Sequence, residues 1–180
     1  HLHLPVQSGS NEILAKMKRN YSREEYIEII NKLLKVRPNI KISSDFIVGF
    51  PNETDFDFQQ TMDLIEEVKF DASFSFIYSA RPGTPASQLE DMVPIEVKKE
   101  RLYILQKRID KLQLDYSNDL VNTIQRCLVT GISKKDVTQL QARTECNRVV
   151  NFDFQNINIL GKLVDIDITK AYQRSLTGKI

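Results

Sequence analysis

Three stretches place small, polar and glycine residues where a ligand can be met by main chain. Leu4-Pro5-Val6-Gln7-Ser8-Gly9-Ser10 runs out of a strand-like opening, Ile47-Val48-Gly49-Phe50-Pro51-Asn52-Glu53-Thr54 closes a β-branched run, and Phe76-Ile77-Tyr78-Ser79-Ala80-Arg81-Pro82-Gly83-Thr84 closes a third. At the C-terminal end of a parallel strand, backbone N–H groups and hydroxyls point out of the sheet, and α/β proteins bind ligands there. A glycine lets a flat ring approach the chain, and Val48 and Phe50 offer apolar walls. Each stretch taken singly reads equally as a turn, with Ser10 and Thr54 as helix caps. Three such ends on one sheet edge are less easily explained that way.

A fourth stretch, Arg143-Thr144-Glu145-Cys146-Asn147-Arg148-Val149-Val150-Asn151-Phe152, interleaves two arginines, two asparagines and an aromatic ring. That mix suits phosphate contacts and base stacking, and a solvated hairpin has the same composition. His1 and His3 share one face of a strand without a third metal ligand in view, so packing or hydrogen-bonding roles are expected of them. Glu24-Glu25 and Glu66-Glu67 lie on helix surfaces, as solvated charge. Cys127 and Cys146 stand alone and far apart, which assembles neither a zinc site nor an iron–sulfur cluster from this chain and fits a reducing cytoplasm.

The elements that must position these residues are legible. Ser22-Arg23-Glu24-Glu25 forms a capping box, and Tyr26, Ile29, Ile30, Leu33 and Leu34 follow at helical spacing until Pro38. A strand is expected over Ile40 to Val48. A second helix opens at Thr54 with Asp57, carries Phe58, Met62 and Ile65 on one stripe and runs to about Val68; the next strand is Ala72 to Tyr78. Strand and helix alternating in this way imply right-handed crossovers and a parallel sheet of about three units. Pro94 stands at a first helical position, before Leu102, Leu105, Ile109, Leu112 and Tyr116 on one long helix. Beyond it come five short strands, Ile124 to Thr130, Leu140 to Arg143, Arg148 to Phe152, Leu163 to Thr169 and Ser175 to Ile180, which suit a small barrel of oligonucleotide-binding type.

Composition bounds the answer. The 180 residues are 41% hydrophobic and 27% charged, enough to bury a core, and no apolar run nears the length of a membrane span, so a soluble protein is expected. The opening at His1 reads as cut from a longer chain. The net charge of +1 hides an asymmetry: residues 117–180 carry nine basic against six acidic side chains, so the C-terminal third is the part expected to meet a polyanion.

These residues together resemble the MiaB-type tRNA methylthiotransferases of the radical SAM superfamily, over essentially all 180 positions. The resemblance is carried by His3-Leu4-Pro5-Val6-Gln7-Ser8-Gly9-Ser10, Met17-x-Arg19-x-Tyr21-Ser22, Asp45-x-Ile47-Val48-Gly49-Phe50-Pro51-x-Glu53-Thr54 and Phe76-Ile77-Tyr78-Ser79-x-Arg81-Pro82-Gly83-Thr84-Pro85. It departs from the family at Asn52, where Gly is usual, and at Cys146, where Asn is usual.

The resemblance implies an α/β fold: residues 1–118 as the C-terminal part of a radical SAM partial (β/α) barrel, and 119–180 as a TRAM domain, a small RNA-binding barrel. It implies S-adenosyl-L-methionine (SAM) as cofactor, with Gln7, Ser8 and Ser10 at its ribose or amino-acid part, Arg19 at its carboxylate, and Val48, Gly49 and Phe50 at its adenine. RNA contacts are expected from Lys134, Lys135, Arg143, Asn147, Arg148 and Phe152. The implied reaction inserts sulfur at C2 of an N6-isopentenylated adenosine next to the tRNA anticodon and methylates that sulfur. Two [4Fe–4S] clusters serve the full-length family members. The cluster cysteines fall upstream of His1, none is ligated by this segment, and the segment alone is inactive. A flavodoxin-like electron donor, a cytoplasmic location and a monomer follow from the same resemblance. Two alternatives stay open: methylthiolation of a ribosomal-protein aspartate, and a non-catalytic RNA-binding fragment.

Overall fold

The computed structural model describes residues 1–134, 136–153 and 157–180. Its contacts divide the chain into two units, Leu2–Asp110 and Lys111–Ile180. In the first unit, β1 (Leu2–His3), β2 (Ile42–Val48) and β3 (Ala72–Ile77) form a parallel sheet in the order β1-β2-β3. The strand-like opening is shorter than its sequence suggests, because Pro5 has no N–H to donate. Pairing resumes only at Gln7, whose N–H donates to the Asp45 carbonyl and whose carbonyl accepts from Ile47.

The helices are α1 (Asn11–Lys16), α2 (Arg23–Val36), α3 (Asp55–Val68) and α4 (Ile95–Asn118). Both expected capping boxes form, Ser22 with Glu25 and Thr54 with Asp57. Pro94 lies one residue before the first helical residue, and its carbonyl accepts from Lys98 N–H; it therefore caps α4 rather than opening its first turn. The buried stripe of α3 is also rotated from the expected one. It is Asp57, Thr61, Leu64 and Ile65, because the half of α3 near the β1 loop buries hydrogen-bonding groups instead of Phe58 and Met62. Phe46 and Phe70 meet edge to face at 5.3 Å in the centre of this unit.

In the second unit, β4 (Ile124–Ile132), β5 (Gln139–Thr144), β6 (Val149–Asp153), β7 (Leu163–Ala171) and β8 (Leu176–Lys179) close into a barrel in the order β4-β5-β6-β8-β7. All pairs are antiparallel except β6 with β8. Strict alternation along the strands turns Cys127, Val129, Leu140, Ala142, Val150, Phe152, Ile166, Ile168 and Leu176 inward as one core. Closure leaves β8 tight against β7: a Cβ on Gly178 would lie 2.3 Å from a methyl of Ile166 and 2.7 Å from the Asp167 carbonyl oxygen.

Gly178→Ala should therefore lower the stability of the barrel by about 1–3 kcal/mol, as overpacking does where backbone cannot retreat. Urea denaturation of the 180-residue chain checks this, and an unchanged midpoint would show that β7 and β8 can move apart at no cost.

Candidate ligand site and nucleic-acid face

The end of β2 is built around one buried carboxylate. Gly49 turns the chain at φ +67°, and its N–H donates to Glu53 Oε2 at 2.7 Å. Arg101, on α4, donates from one guanidinium nitrogen to the same Oε2 at 2.7 Å and to the Glu53 carbonyl at 3.0 Å, and from the other to Asp55 at 2.6 Å. Glu53 and Arg101 are only 4% and 5% exposed. Burial pushes the Glu53 carboxyl up, against the opposing pull of the Gly49 N–H and the Arg101 guanidinium. Lys98, one turn earlier on α4, lays its aliphatic stem where a Gly49 Cβ would stand, 2.3 Å away, and reaches Asp91 with its ammonium. Asn52, at φ +62°, explains the departure from Gly at that position, since Asn tolerates the left-handed conformation better than other side chains.

The end of β1 is held equally firmly. Ser8 accepts from Ser10 N–H and lies 3.3 Å from the Thr61 hydroxyl, which also accepts from Gly9 N–H. Ser10 caps α1 and donates to Asp57 at 2.5 Å. Burial alone would raise the Asp57 carboxyl, but hydrogen bonds from Ser10 and from the Thr54 side chain and backbone hold it below its ordinary value of 3.8.

Beyond these two ends, at the C-terminal edge of the sheet, opens a cavity of about 690 Å³. Of the residues expected at a cofactor, Gln7, Arg19 and Phe50 line it; Ser8, Ser10, Val48 and Gly49 do not, being engaged in the turns behind it or wholly buried. The sequence reading gave no role to Lys18, Ile47, Tyr78 or Arg81, which line it as well. Gln7 sits there at φ +76°, a conformation non-glycine residues adopt rarely. Phe50 and Tyr78 meet edge to face at 4.9 Å, and the Tyr78 hydroxyl is buried with no partner among the described residues. A cavity with guanidiniums at its wall, flat apolar faces and an unsatisfied hydroxyl fits a nucleoside-bearing amino acid such as SAM.

On the barrel, Arg143 and Asn147 are exposed and bound to each other, Arg143 donating to the Asn147 carbonyl at 3.0 Å and to its side-chain oxygen at 2.9 Å. Lys134 is exposed, and Lys135 lies outside the described residues. Arg148 is instead 8% exposed, donating to the Ser117 hydroxyl at 3.1 Å and to Cys146 Sγ at 3.3 Å, and Phe152 is wholly buried in the core. These two placements differ from the expected surface roles because inward alternation on β6 claims Phe152, while Arg148, just before β6, is drawn in by the Ser117 hydroxyl at the end of α4. Cys127 is buried too, which pushes its thiol up to about 11. His3 bonds Ser43 and Asp45, and the described residues contain no cluster of His, Cys, Asp or Glu able to hold a metal. None of the described helices is long and apolar enough to cross a membrane.

Comparison with known families agrees with both units. Residues 1–65 match the radical SAM superfamily and residues 119–180 match the TRAM domain. The chain thus joins the C-terminal portion of a radical SAM (β/α) barrel to a TRAM barrel. Over nearly its whole length it is similar to MiaB-type sequences: it is 59% identical over 178 residues to the tRNA-2-methylthio-N(6)-dimethylallyladenosine synthase of Alcanivorax borkumensis, covering 99% of this chain and 40% of that one. The synthases of Hahella chejuensis and Legionella pneumophila are 58% and 55% identical over 179 and 180 residues, 99% and 100% of this chain, again with 40% of the relative covered. The chain spans about 40% of the length of these curated relatives.

Removing one member of the Glu53–Arg101 pair leaves a buried charge, so Arg101→Met should cost about 3–5 kcal/mol, and the Glu53→Gln/Arg101→Met double variant should recover part of that. A double-mutant cycle by chemical denaturation measures the coupling, and additive effects would contradict it. Asp57 sets a pH dependence as well. Its folded pKa is depressed, so its contribution is present above its ordinary pKa and lost as pH falls through the folded value. Asp57→Asn should be less stable than the parent at neutral pH and lose stability less steeply below about pH 4; parallel acid limbs would refute this.

Proposed function

We propose that this chain is the C-terminal part of a tRNA methylthiotransferase that converts an N6-isopentenylated adenosine next to the anticodon into its 2-methylthio derivative. The observation that carries the reading is the cavity at the sheet edge, lined by Gln7, Arg19, Phe50 and Tyr78, in a chain that also has a TRAM barrel and is similar throughout to synthases of that name. SAM, with iron–sulfur clusters whose cysteines we assign upstream of His1, would supply the radical chemistry and the methyl group. In this reading the Arg19 guanidinium binds the SAM carboxylate. Phe50, Ile47 and Tyr78 flank the adenine, and the Tyr78 hydroxyl and Gln7 amide take polar atoms of the nucleoside. Ser8, Ser10, Val48 and Gly49 act one step back, by fixing the two strand ends.

Lys134, Arg143 and Asn147 would hold tRNA through its backbone, while Arg148 and Phe152 shape the barrel that presents them. A cytoplasmic location, a flavodoxin-like electron donor, two clusters and a monomeric state belong to the same proposal.

The direct test replaces the matching segment of the Alcanivorax borkumensis synthase with residues 1–180. The chimera should bind SAM and methylthiolate isopentenylated tRNA, and Arg19→Gln within it should weaken SAM binding at least tenfold. A folded chimera that binds RNA but not SAM would favour a non-catalytic RNA-binding role. One that modifies a ribosomal protein instead of tRNA would reassign the substrate.

A further inference from the structure

The cavity carries more positive charge than its proposed cofactor can use. Lys16, Lys18, Arg19 and Arg81 all line it, and Asp45, already within 3.3 Å of His3 Nε2, is its one acidic lining residue. Lys16 is answered by Glu12 at 2.6 Å, but the side chains of Lys18, Arg19 and Arg81 have no ion-pair partner among the described residues. Elsewhere in the same unit, Arg23, Lys98, Arg101 and Arg108 each face a carboxylate. SAM carries one carboxylate against an ammonium and a sulfonium, so it is a net cation, and a single guanidinium meets its only anionic group. Two further unanswered cations oppose its binding rather than favour it.

Such charge fits an anion brought in beside the cofactor. Lys18 stands at the C-terminal end of α1, in a left-handed turn at φ +58°, and Arg81 on the loop after β3; both are exposed. Phe76, 55% exposed, lines the cavity with them. Cations interleaved with an open aromatic ring are the elements that grip a single-stranded nucleotide, charge to phosphate and ring to base. We propose that Lys18 and Arg81 form a phosphodiester clamp on the half-barrel, binding the RNA backbone that flanks the reacting adenosine, separately from the TRAM barrel. The clamp rests on the function proposed above for its choice of RNA.

The test uses the 180-residue chain and an anticodon stem-loop RNA. If each clamp residue neutralises one phosphate, Lys18→Gln/Arg81→Gln should reduce the slope of log K against log salt by about 1.4–1.8, and each single variant by about half of that. Both side chains are exposed, so the melting transition should be unchanged; if the double variant melts early, the single variants give the slopes. A slope equal to that of the parent overturns the clamp and leaves all RNA binding to the barrel. Loss of affinity for an aspartate-rich peptide in place of RNA also overturns it, assigning the rim to a protein substrate. A chimera that methylthiolates tRNA with the parent slope in the double variant refutes the clamp alone. A chimera unable to bind SAM, whose slope nevertheless falls in the variant, refutes the enzyme reading and supports the clamp.

Discussion

The carboxylate of Glu53 is shared between a turn and a helix, and much of the first unit is organised by that sharing. A buried carboxylate is stable only when its oxygens are answered, and here the answers come from the Gly49 N–H and the Arg101 guanidinium. Gly49 is the last bend of β2 before the cavity, and Arg101 lies 48 residues beyond Glu53 along the chain. The pair thereby ties the strand end to α4, and Lys98 closes the same joint by filling the space a side chain at Gly49 would need. A site whose walls are loop residues needs such a joint, because loops left to themselves sample many conformations.

The end of β1 is fixed by the same logic with different groups. Ser8, Ser10, Asp57 and Thr61 form a chain of hydrogen bonds between the loop and α3, and this is why α3 buries an aspartate and a threonine where an ordinary amphipathic helix buries hydrocarbon. Residues with the look of ligand contacts thus serve as fasteners. Gln7 and Phe50, beside those fastened ends, line the cavity together with Arg19 after α1 and Tyr78 after β3.

In the barrel, geometry sorts residues of one chemical character into two roles. Arg143 and Arg148 flank one turn, yet Arg143 lies outside, braced by Asn147, while Arg148 is buried and holds the Ser117 hydroxyl at the end of α4. Phe152, with the composition of a stacking platform, is core, because a closed barrel of five strands has only its inward positions to fill its centre.

Local patterns determined most of the architecture from the residues alone. Capping boxes at Ser22 and Thr54, the β-branched run before Gly49 and the alternation of Val164, Ile166 and Ile168 each specify an element through short-range physics, and each element formed within a residue or two of its expected bounds. The motif order also carried the family. The tertiary structure alone decided which polar residues meet solvent. Whether Ser10 faces a ligand or Asp57, or Arg148 faces phosphate or Ser117, depends on partners 31 to 47 residues away. The joining of Lys18, Tyr78 and Arg81 at one cavity is likewise a product of the parallel sheet, which gathers distant strand ends at one edge, and no spacing in the sequence encodes it.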